Sequence, residues 1–388
     1  MKQTLNILLI CKSLPGTFIG GIQSHVWDLS ESLISRGHKV SILSAGSMTQ
    51  PTRAEVIEGR NIIYLRYFRG KHSPIFKVLL EEAGFNFSVF FWLKRNGRKF
   101  DIIHGQGRSG AWIPRKVSNS ISCLTTYHGL IGIENAREKR NVFQKLDGWL
   151  HKKFASALEK RPLSRAKGII YVSEATKNVV HEIHGNTESP QQVIYNGFKG
   201  DFSTKTERPM SIYLVFVGRL HPIKGLDALI QAMPMVNKFI KLVLVGDGPM
   251  RPELERLIRK EKLKERVILT GALPKDKAME WMEKGFALIL PSYFETQGIV
   301  LLEANAKKVP VLASYAGGMK EVVIDNYNGL FFEPGNPQDI ARKINQLYES
   351  TESQKRLGEN GQKLVKERFH WDMIGEQTEE YYYKVLQS

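Results

Sequence analysis

The sequence has 388 residues, 42% of them apolar and 24% charged, with a formal net charge of +17. This length suits two α/β domains better than one core, and the composition is that of a folded globular chain, which excludes disordered and fibrous classes. Two cysteines, Cys11 and Cys123, supply neither a disulfide framework nor a metal cluster, and no apolar run nears the ~18 residues that span a bilayer, so a reducing, cytoplasmic setting is expected.

The stretch after Lys2, from Leu5 to Ile10, is shorter than a signal-peptide core and lacks a small-residue cleavage site, so it reads as a first strand. Short apolar segments then alternate with helix-length ones, the pattern of parallel sheets with crossover helices. First-half strands are predicted near Asn6–Ile10, Lys39–Leu43, Ile62–Leu65, Ile102–His104, Ser122–Thr126, Gly168–Val172 and Val193–Tyr195. Second-half strands follow near Ile212–Val217, Lys241–Val245, Val267–Leu269, Ala287–Leu290, Val309–Ala313 and Gly329–Phe332. Both halves therefore read as doubly wound α/β domains, 1–198 and 199–371, joined by the polar, Gly-bearing stretch Gly197–Met210, where a cleft is expected. The tail carries Phe369, Trp371, Tyr381, Tyr382 and Tyr383, too aromatic to stay in solvent, and helix 372–388 is expected to complete the first domain.

Two segments carry chemistry. The first leaves a strand as Phe216-Val217-Gly218-Arg219-Leu220-His221-Pro222-Ile223-Lys224-Gly225 and enters a helix. Arg219 and Lys224 thus stand at the carboxyl end of a strand, where open α/β sheets bind ligands; an Arg fork and a Lys point charge can grip a diphosphate. A surface loop with two solvated charges is the plainer reading. The second segment runs Pro291-Ser292-Tyr293-Phe294-Glu295-Thr296-Gln297-Gly298-Ile299-Val300-Leu301-Leu302-Glu303-Ala304. Gly298 opens a helix whose free amides, from Gln297 to Val300, favour an anion. Glu303 on the helix can accept from both hydroxyls of a ribose and Glu295 on the loop from a sugar; local pairing of Glu303 is the alternative.

In combination these segments resemble the retaining nucleotide-sugar glycosyltransferases of family 4, whose fold is GT-B: two facing Rossmann-like domains with a cleft between them. The resemblance extends over nearly the whole chain. Gly20-Gly21-Ile22-Gln23-Ser24-His25-Val26 looks like the family's glycine loop, and Arg36-Gly37-His38-Lys39-Val40, Asp101-Ile102-Ile103-His104, Tyr127-His128-Gly129, Val172-Ser173-Glu174, Tyr195-Asn196-Gly197, Val245-Gly246-Asp247-Gly248-Pro249, Gly271, Gly317-Gly318 and Asn328-Gly329 follow in the family's order.

The resemblance implies that Arg219 and Lys224 hold the donor diphosphate, Glu303 the ribose, and Glu295 with the amides of Gln297, Gly298, Ile299 and Val300 the transferred sugar. Gly218, Gly246, Gly248 and Leu273 join the donor-binding set. Gly21 would let backbone approach the phosphates from the first domain, and His128 would sit beside the sugar. The implied catalytic residues are His128, Arg219, Lys224 and Glu295. Charge growing on the departing diphosphate would be met by the cations and helix amides. The sequence has no Asp-x-Asp pair at a strand end, and its ten histidines lack ligand spacing, so no metal and no cofactor are expected. The family commonly has an aromatic residue where this chain has Gln297, a departure that bears on sugar identity. A UDP-sugar is the favoured donor and a GDP-sugar the alternative; the acceptor is a glycan or a lipid-linked or phosphorylated molecule of envelope or polysaccharide biosynthesis. Same-fold alternatives are a phosphorylase, an epimerase or an inactive scaffold.

The charge is uneven. Residues 1–198 carry 28 basic and 14 acidic side chains, and residues 199–388 carry 28 and 25. Arg95, Arg98, Lys99, Arg137, Lys139, Arg140, Lys152, Lys153, Lys160, Arg161, Arg165 and Lys167 are the densest groups, beside the aromatic stretch Phe85–Leu93. Peripheral contact with an anionic membrane is one reading; core aromatics with solvated charges is the other. Nucleic acid is not an expected partner, because no recognition helix, RNA-binding aromatic signature or zinc finger is present. A nicotinamide enzyme needs Gly-x-Gly-x-x-Gly after its first strand, where this chain has Cys11-Lys12-Ser13-Leu14-Pro15-Gly16.

Overall fold

The computed structural model describes residues 3–15, 20–67, 77–129, 142–202 and 211–387, without the side chains of 77–79 and 142–152. The chain divides into two compact units: Met1–Asn196 with Trp371–Ser388, and Gly197–His370. Of the expected join, residues 203–210 lie outside the described residues.

The first unit is built on an eight-stranded sheet of order β3-β4-β2-β1-β5-β6-β7-β8. Its strands are β1 (Asn6–Ile10), β2 (Lys39–Ala45), β3 (Arg53–Ile57), β4 (Arg60–Leu65), β5 (Ile102–Gln106), β6 (Ser122–Tyr127), β7 (Gly168–Tyr171) and β8 (Gln191–Val193). All pairings are parallel except β3 with β4. The central strands β1, β5, β6 and β7 are buried on both faces, which is why they read as apolar runs rather than alternations. Their longer helices among the described residues are α1 (Gly21–Ser35), α2 (Lys77–Asn96), α3 (Val142–Leu163) and α4 (Glu174–His184). The last starts at Ser173, whose Oγ accepts from Thr176 N at 2.9 Å.

Two strands depart from the expectation. β3 is absent from the predicted strands: its side chains, from Arg53 to Val56, are exposed, so no apolar signal marks it. It exists because Glu58 and Gly59, at φ 50° and 76°, form the two-residue turn that matches strand twist in a hairpin. Arg60, 1% exposed, then pins the hairpin to α1 through Ser30 Oγ at 2.6 Å and Glu31 at 2.8 Å, with its guanidinium 4.2 Å from the Trp27 ring centre. β8 lies two residues earlier than expected, because the half-buried edge position is filled by Gln191 and Gln192, while the apolar Ile194 comes after the strand ends.

The terminal helix α11 (Trp371–Gln387) packs on α1 within this unit. Its tyrosines are anchored by polar tips: Tyr382 Oη lies 2.7 Å from His104 Nδ1, and Tyr381 Oη receives Ile169 N at 3.0 Å. His38 bonds the same helix, Nδ1 accepting from Leu5 N at 3.1 Å and Nε2 donating to Glu379 at 3.0 Å. The helices meet closely at Gly375, where a Cβ would stand 1.9 Å from Ser32 Oγ. Replacement of Gly375 by Val is expected to cost about 1–3 kcal/mol through overpacking, read as a lower urea midpoint; an unchanged midpoint would show that α11 is not held as described.

The second unit carries a fully parallel six-stranded sheet, β11-β10-β9-β12-β13-β14. Its strands are β9 (Tyr213–Val217), β10 (Lys241–Val245), β11 (Val267–Gly271), β12 (Ala287–Leu290), β13 (Val311–Ser314) and β14 (Gly329–Phe332). Its longer helices are α5 (Leu226–Ala232), α6 (Arg251–Lys260), α7 (Lys275–Lys284), α8 (Ile299–Ala306), α9 (Pro337–Tyr348) and α10 (Thr351–Arg368). The strand order reverses between β9 and β12, the position at which such sheets open a crevice at their carboxyl ends. In the first sheet the corresponding reversal falls between β1 and β5.

Candidate functional site

In the second unit the two chemical segments leave adjacent strands. After β9 the chain turns through Gly218 and the single 3-10 turn Pro222–Lys224 to Gly225, whose φ of 63° and ψ of 26° start α5 in the left-handed region. A Cβ there would also meet Pro291 O at 2.2 Å, so the β9 and β12 loops touch at backbone distance. Tyr293 N donates to Ile223 O at 2.8 Å across the same seam. The consequence is a direct ion pair between Lys224 Nζ and Glu295 Oε1, with Ser292 Oγ donating to the same carboxylate oxygen at 2.9 Å. Arg219 is exposed and has no ion-pair or hydrogen-bond partner among the described residues.

Gly298, at φ 83° and ψ 61°, opens α8. The first-turn amides of Ile299 and Val300 have no intrahelical acceptor and form the positive end of that helix. Gln297 is fully buried, so its backbone rather than a projecting ring borders the loop. One turn into α8 stands Glu303, with Oε1 3.3 Å from Lys275 Nζ at the start of α7. Burial raises its carboxyl above the usual range, and Lys275 pulls it partly back. The helix is seated from behind by α10, where Gln362 Nε2 donates to Ala306 O at 2.8 Å. Gly246 and Gly248 act locally as close-approach positions: Cβ atoms on them would lie 1.9 Å from Gly218 O and 2.4 Å from Leu220 O. Leu273, in the loop after β11, packs partly buried against Val215, Val243 and Val245. Sequence reasoning missed Lys275 and Ser292, since a lone Lys and Ser carry no pattern until the fold sets them beside the two carboxylates.

Gly21 and His128 belong to the first unit, Gly21 exposed at the start of α1 and His128 after β6. His128 Nε2 donates to Gln106 Oε1 at 2.8 Å, and its ring stands edge-on to His25 at 4.6 Å. His25 Nδ1 bonds Asn196 Oδ1 at 2.8 Å, and His104 is held between Tyr382 and Thr126 Oγ1, each at 2.7 Å. Burial lowers His25 to about 4 and His104 to about 3, and drives His128 well below its ordinary value. All three are neutral at pH 7. Along the chain His25 and His104 stand only as members of motifs, and the structure joins them to His128 in one cluster.

The aromatic stretch on α2 divides by helical face. Phe85, Val89 and Leu93 are core residues, whereas Phe87 and Phe91 are 57% and 40% exposed with ring centres 4.6 Å apart. Lys94, Arg95, Arg98, Lys99, Arg115, Lys116, Lys153, Lys160 and Lys167 are exposed in the same unit. Arg137, Lys139, Arg140 and the side chain of Lys152 lie outside the described residues. Among the described residues no group of three or more His, Cys, Asp or Glu could hold a metal ion, and no helix is long and apolar enough to cross a membrane.

The histidine cluster makes stability pH-dependent. Unfolded imidazoles titrate near 6.5, so below that value the unfolded chain binds more protons than the folded one, and stability falls as pH drops from about 6.5 toward 4. His25 and His104 together set a slope of up to ~2.7 kcal/mol per pH unit in that window. Urea midpoints at pH 7.5, 6.0 and 5.0 should decline in that order, while the ring resonances of His25, His104 and His128 in the folded chain stay at neutral shifts to pH 5; ordinary titration of these three near 6.5 in the folded chain would refute the burial argument.

Two family models match the chain in succession, one described as Glycosyltransferase Family 4 over residues 19–201 and one described as Glycosyl transferases group 1 over residues 198–364. An uncharacterized glycosyltransferase of Methanocaldococcus jannaschii is 31% identical over 374 residues, 92% of each chain. Sucrose-phosphate synthase from Thermosynechococcus elongatus matches with a TM-score of 0.83 at 22% identity over 99% of both chains. The Anabaena protein Alr3699/HepE, solved in complex with UDP-glucose, matches with a TM-score of 0.73 at 20% identity over 98% of this chain and 100% of that one.

Proposed function

The chain belongs to the family 4 and group 1 glycosyltransferases and has their GT-B fold, and from that premise we propose that it transfers a sugar, with retention and without a metal, from a UDP-sugar to a glycan or lipid-linked acceptor. The observation that carries this reading is the Lys224–Glu295 pair at the strand-order reversal, flanked by exposed Arg219 and by the open end of α8. The UDP-glucose complex of the Anabaena neighbour supports the choice of base.

In this reading an incoming diphosphate competes with Glu295 for Lys224. The exchange frees the Glu295 carboxylate to accept from a hydroxyl of the donor sugar, while Arg219 and the amides of Ile299 and Val300 take up phosphate oxygens. Glu303 accepts from the ribose hydroxyls. Gly218, Gly246, Gly248 and Leu273 shape the nucleotide side, and the Gln297 and Gly298 backbone borders the sugar. As the glycosidic bond breaks, negative charge grows on the diphosphate, and these cations and amides stabilise it more than the ground state. The acceptor hydroxyl attacks the same face and its proton goes to the departing phosphate oxygen. Gly21 and neutral His128 of the first unit are assigned to the donor as well.

Isothermal titration in EDTA against UDP, GDP and ADP tests the assignment. UDP should bind saturably, and Lys224→Ala and Glu303→Ala should each weaken it about 10- to 100-fold, the worth of a charge-assisted hydrogen bond. Binding of no nucleotide, or two variants that bind like the parent, would overturn it.

The basic first half supports peripheral attachment to an anionic membrane from the cytoplasmic side. Phe87 and Phe91 project one turn apart on α2, followed along the same helix and its end by Lys94, Arg95, Arg98 and Lys99. Arg115 and Arg161 lie near enough to Arg165 to add to the burial that lowers its pKa, so further cations crowd elsewhere in the unit. Aromatic rings in the interface with cations at the headgroups is the expected pose. Phosphatidylglycerol vesicles should sediment the protein at low salt, and replacing both Phe87 and Phe91 by Ser should weaken this at least about tenfold, roughly the transfer value of one buried ring. No sedimentation by the parent chain removes the attachment.

A further inference from the structure

Outside the two motif segments, one cation of the second unit stands where its own helix gives it no reason to be. Lys275 is the first residue of α7, and its Nζ lies 3.3 Å from Glu303 Oε1 on α8. A helix start is the positive end of the macrodipole, so a cation there works against the helix that carries it. Among the described residues, Glu303 is the one side-chain partner of Lys275, and Lys275 that of Glu303. The start of α7 is well fixed, with Leu273 packed against apolar neighbours just before it and Pro274 O accepting from Ala278 N at 3.0 Å. The Glu303 side chain is 19% exposed and that of Lys275 54%, so the pair has a wet side from which a ligand can reach both groups. Their separation is slightly longer than the about 2.7–3.2 Å of an ordinary N–H···O bond. Neither group is used up by the other, since the ammonium keeps further donors and the carboxylate its second oxygen.

We propose that Lys275 is a specificity-determining residue of the donor site: a ribose hydroxyl donates to the Glu303 carboxylate and accepts from the Lys275 ammonium at once, so the site takes ribonucleoside diphosphates and disfavours their deoxy counterparts. The proposal rests on the transferase reading, in which Glu303 meets the ribose, and adds a second group that reads the same hydroxyl. A carboxylate only accepts and an ammonium only donates, whereas a hydroxyl does both with a single oxygen. The pair is therefore a pattern that a ring hydroxyl completes and a C–H group does not. A deoxy nucleotide would cover the pair, exclude water from it and return no hydrogen bond, which is the costly outcome for a charged group. Lys275 also opposes the rise that burial imposes on the Glu303 carboxyl, which keeps that group an acceptor. A tie between α7 and α8, the structural use of a partly exposed pair, would be indifferent to whether the ligand carries a hydroxyl or a hydrogen.

The test is a cycle on the full chain, in which the parent and Lys275→Met are each titrated with UDP, 2′-deoxy-UDP and 3′-deoxy-UDP. The parent should bind UDP at least about tenfold more tightly than one of the two deoxy nucleotides, the loss expected when a hydrogen bond to a charged group is not made. Lys275→Met keeps the length of the side chain and removes its charge. It should weaken UDP about three- to tenfold, the net worth of one hydrogen bond to a half-exposed ammonium, and weaken that deoxy nucleotide less than about twofold. The preference for UDP then narrows, and this non-additivity separates a residue that reads the hydroxyl from one that only ties two helices. Three nucleotides weakened alike by Lys275→Met, or UDP not weakened at all, overturn the proposal. So does a parent chain that binds UDP and both deoxy forms equally, a result that needs no variant to fold. A chain that binds UDP without this discrimination loses only the present inference, whereas one that binds none of UDP, GDP and ADP loses the transferase reading.

Discussion

The parallel pairing of β9 with β12 is the constraint on which the chemistry of the second unit depends. Those strands lie far apart in the chain, yet Leu214 and Val215 align with Ala287 and Leu288, and the loops that follow must therefore leave from one edge of the sheet. Close backbone approach at Gly225 and the Tyr293 to Ile223 hydrogen bond lock the loops together. Only then can Lys224 and Glu295 meet. The open turn of α8 belongs to the same loop, so a cation, a carboxylate and a set of unpaired amides share one ledge without any of them being held by a long side-chain lever.

The two units treat charge in opposite ways. In the second, the Lys224–Glu295 and Lys275–Glu303 pairs are partly exposed, and each joins different elements, so a ligand can substitute for one partner at modest cost. In the first, the functional side chains are either neutral or already satisfied. His25, His104 and His128 are buried together, and a charge on any of them would be desolvated beside its neighbours. Arg108 is balanced by two carboxylates. Among the described residues of the first half, Lys94, Arg95, Arg98, Lys99, Arg115, Lys116, Lys153, Lys160 and Lys167 belong to neither arrangement and are exposed.

The buried strands in chain order, the glycine-marked turns after β9 and before α8, and two cations and two carboxylates on the following segments could all be read along the chain. Long apolar runs, local turn residues and fixed spacings need no partner to be visible. The edge strands of the first sheet were less legible than those of the second. β3 has exposed side chains and owes its place to a two-residue turn, and β8 is half-buried and begins with two glutamines, so the hydrophobic pattern that finds central strands fails at both edges.

The sequence by itself determined the doubly wound class, the family resemblance and the candidates Arg219, Lys224, Glu295 and Glu303, because these depend on local pattern and on motif order. Tertiary structure alone decided which side chains meet. Lys275 reaches Glu303 from another helix, His25 and His104 gather on His128 from different elements, and Arg108 lies between Glu82 and Glu159. Whether a buried polar group is satisfied or left open, as at Asn86 and Gln106, depends on distance and desolvation in three dimensions. Neither quantity is written in the spacing of residues along a chain.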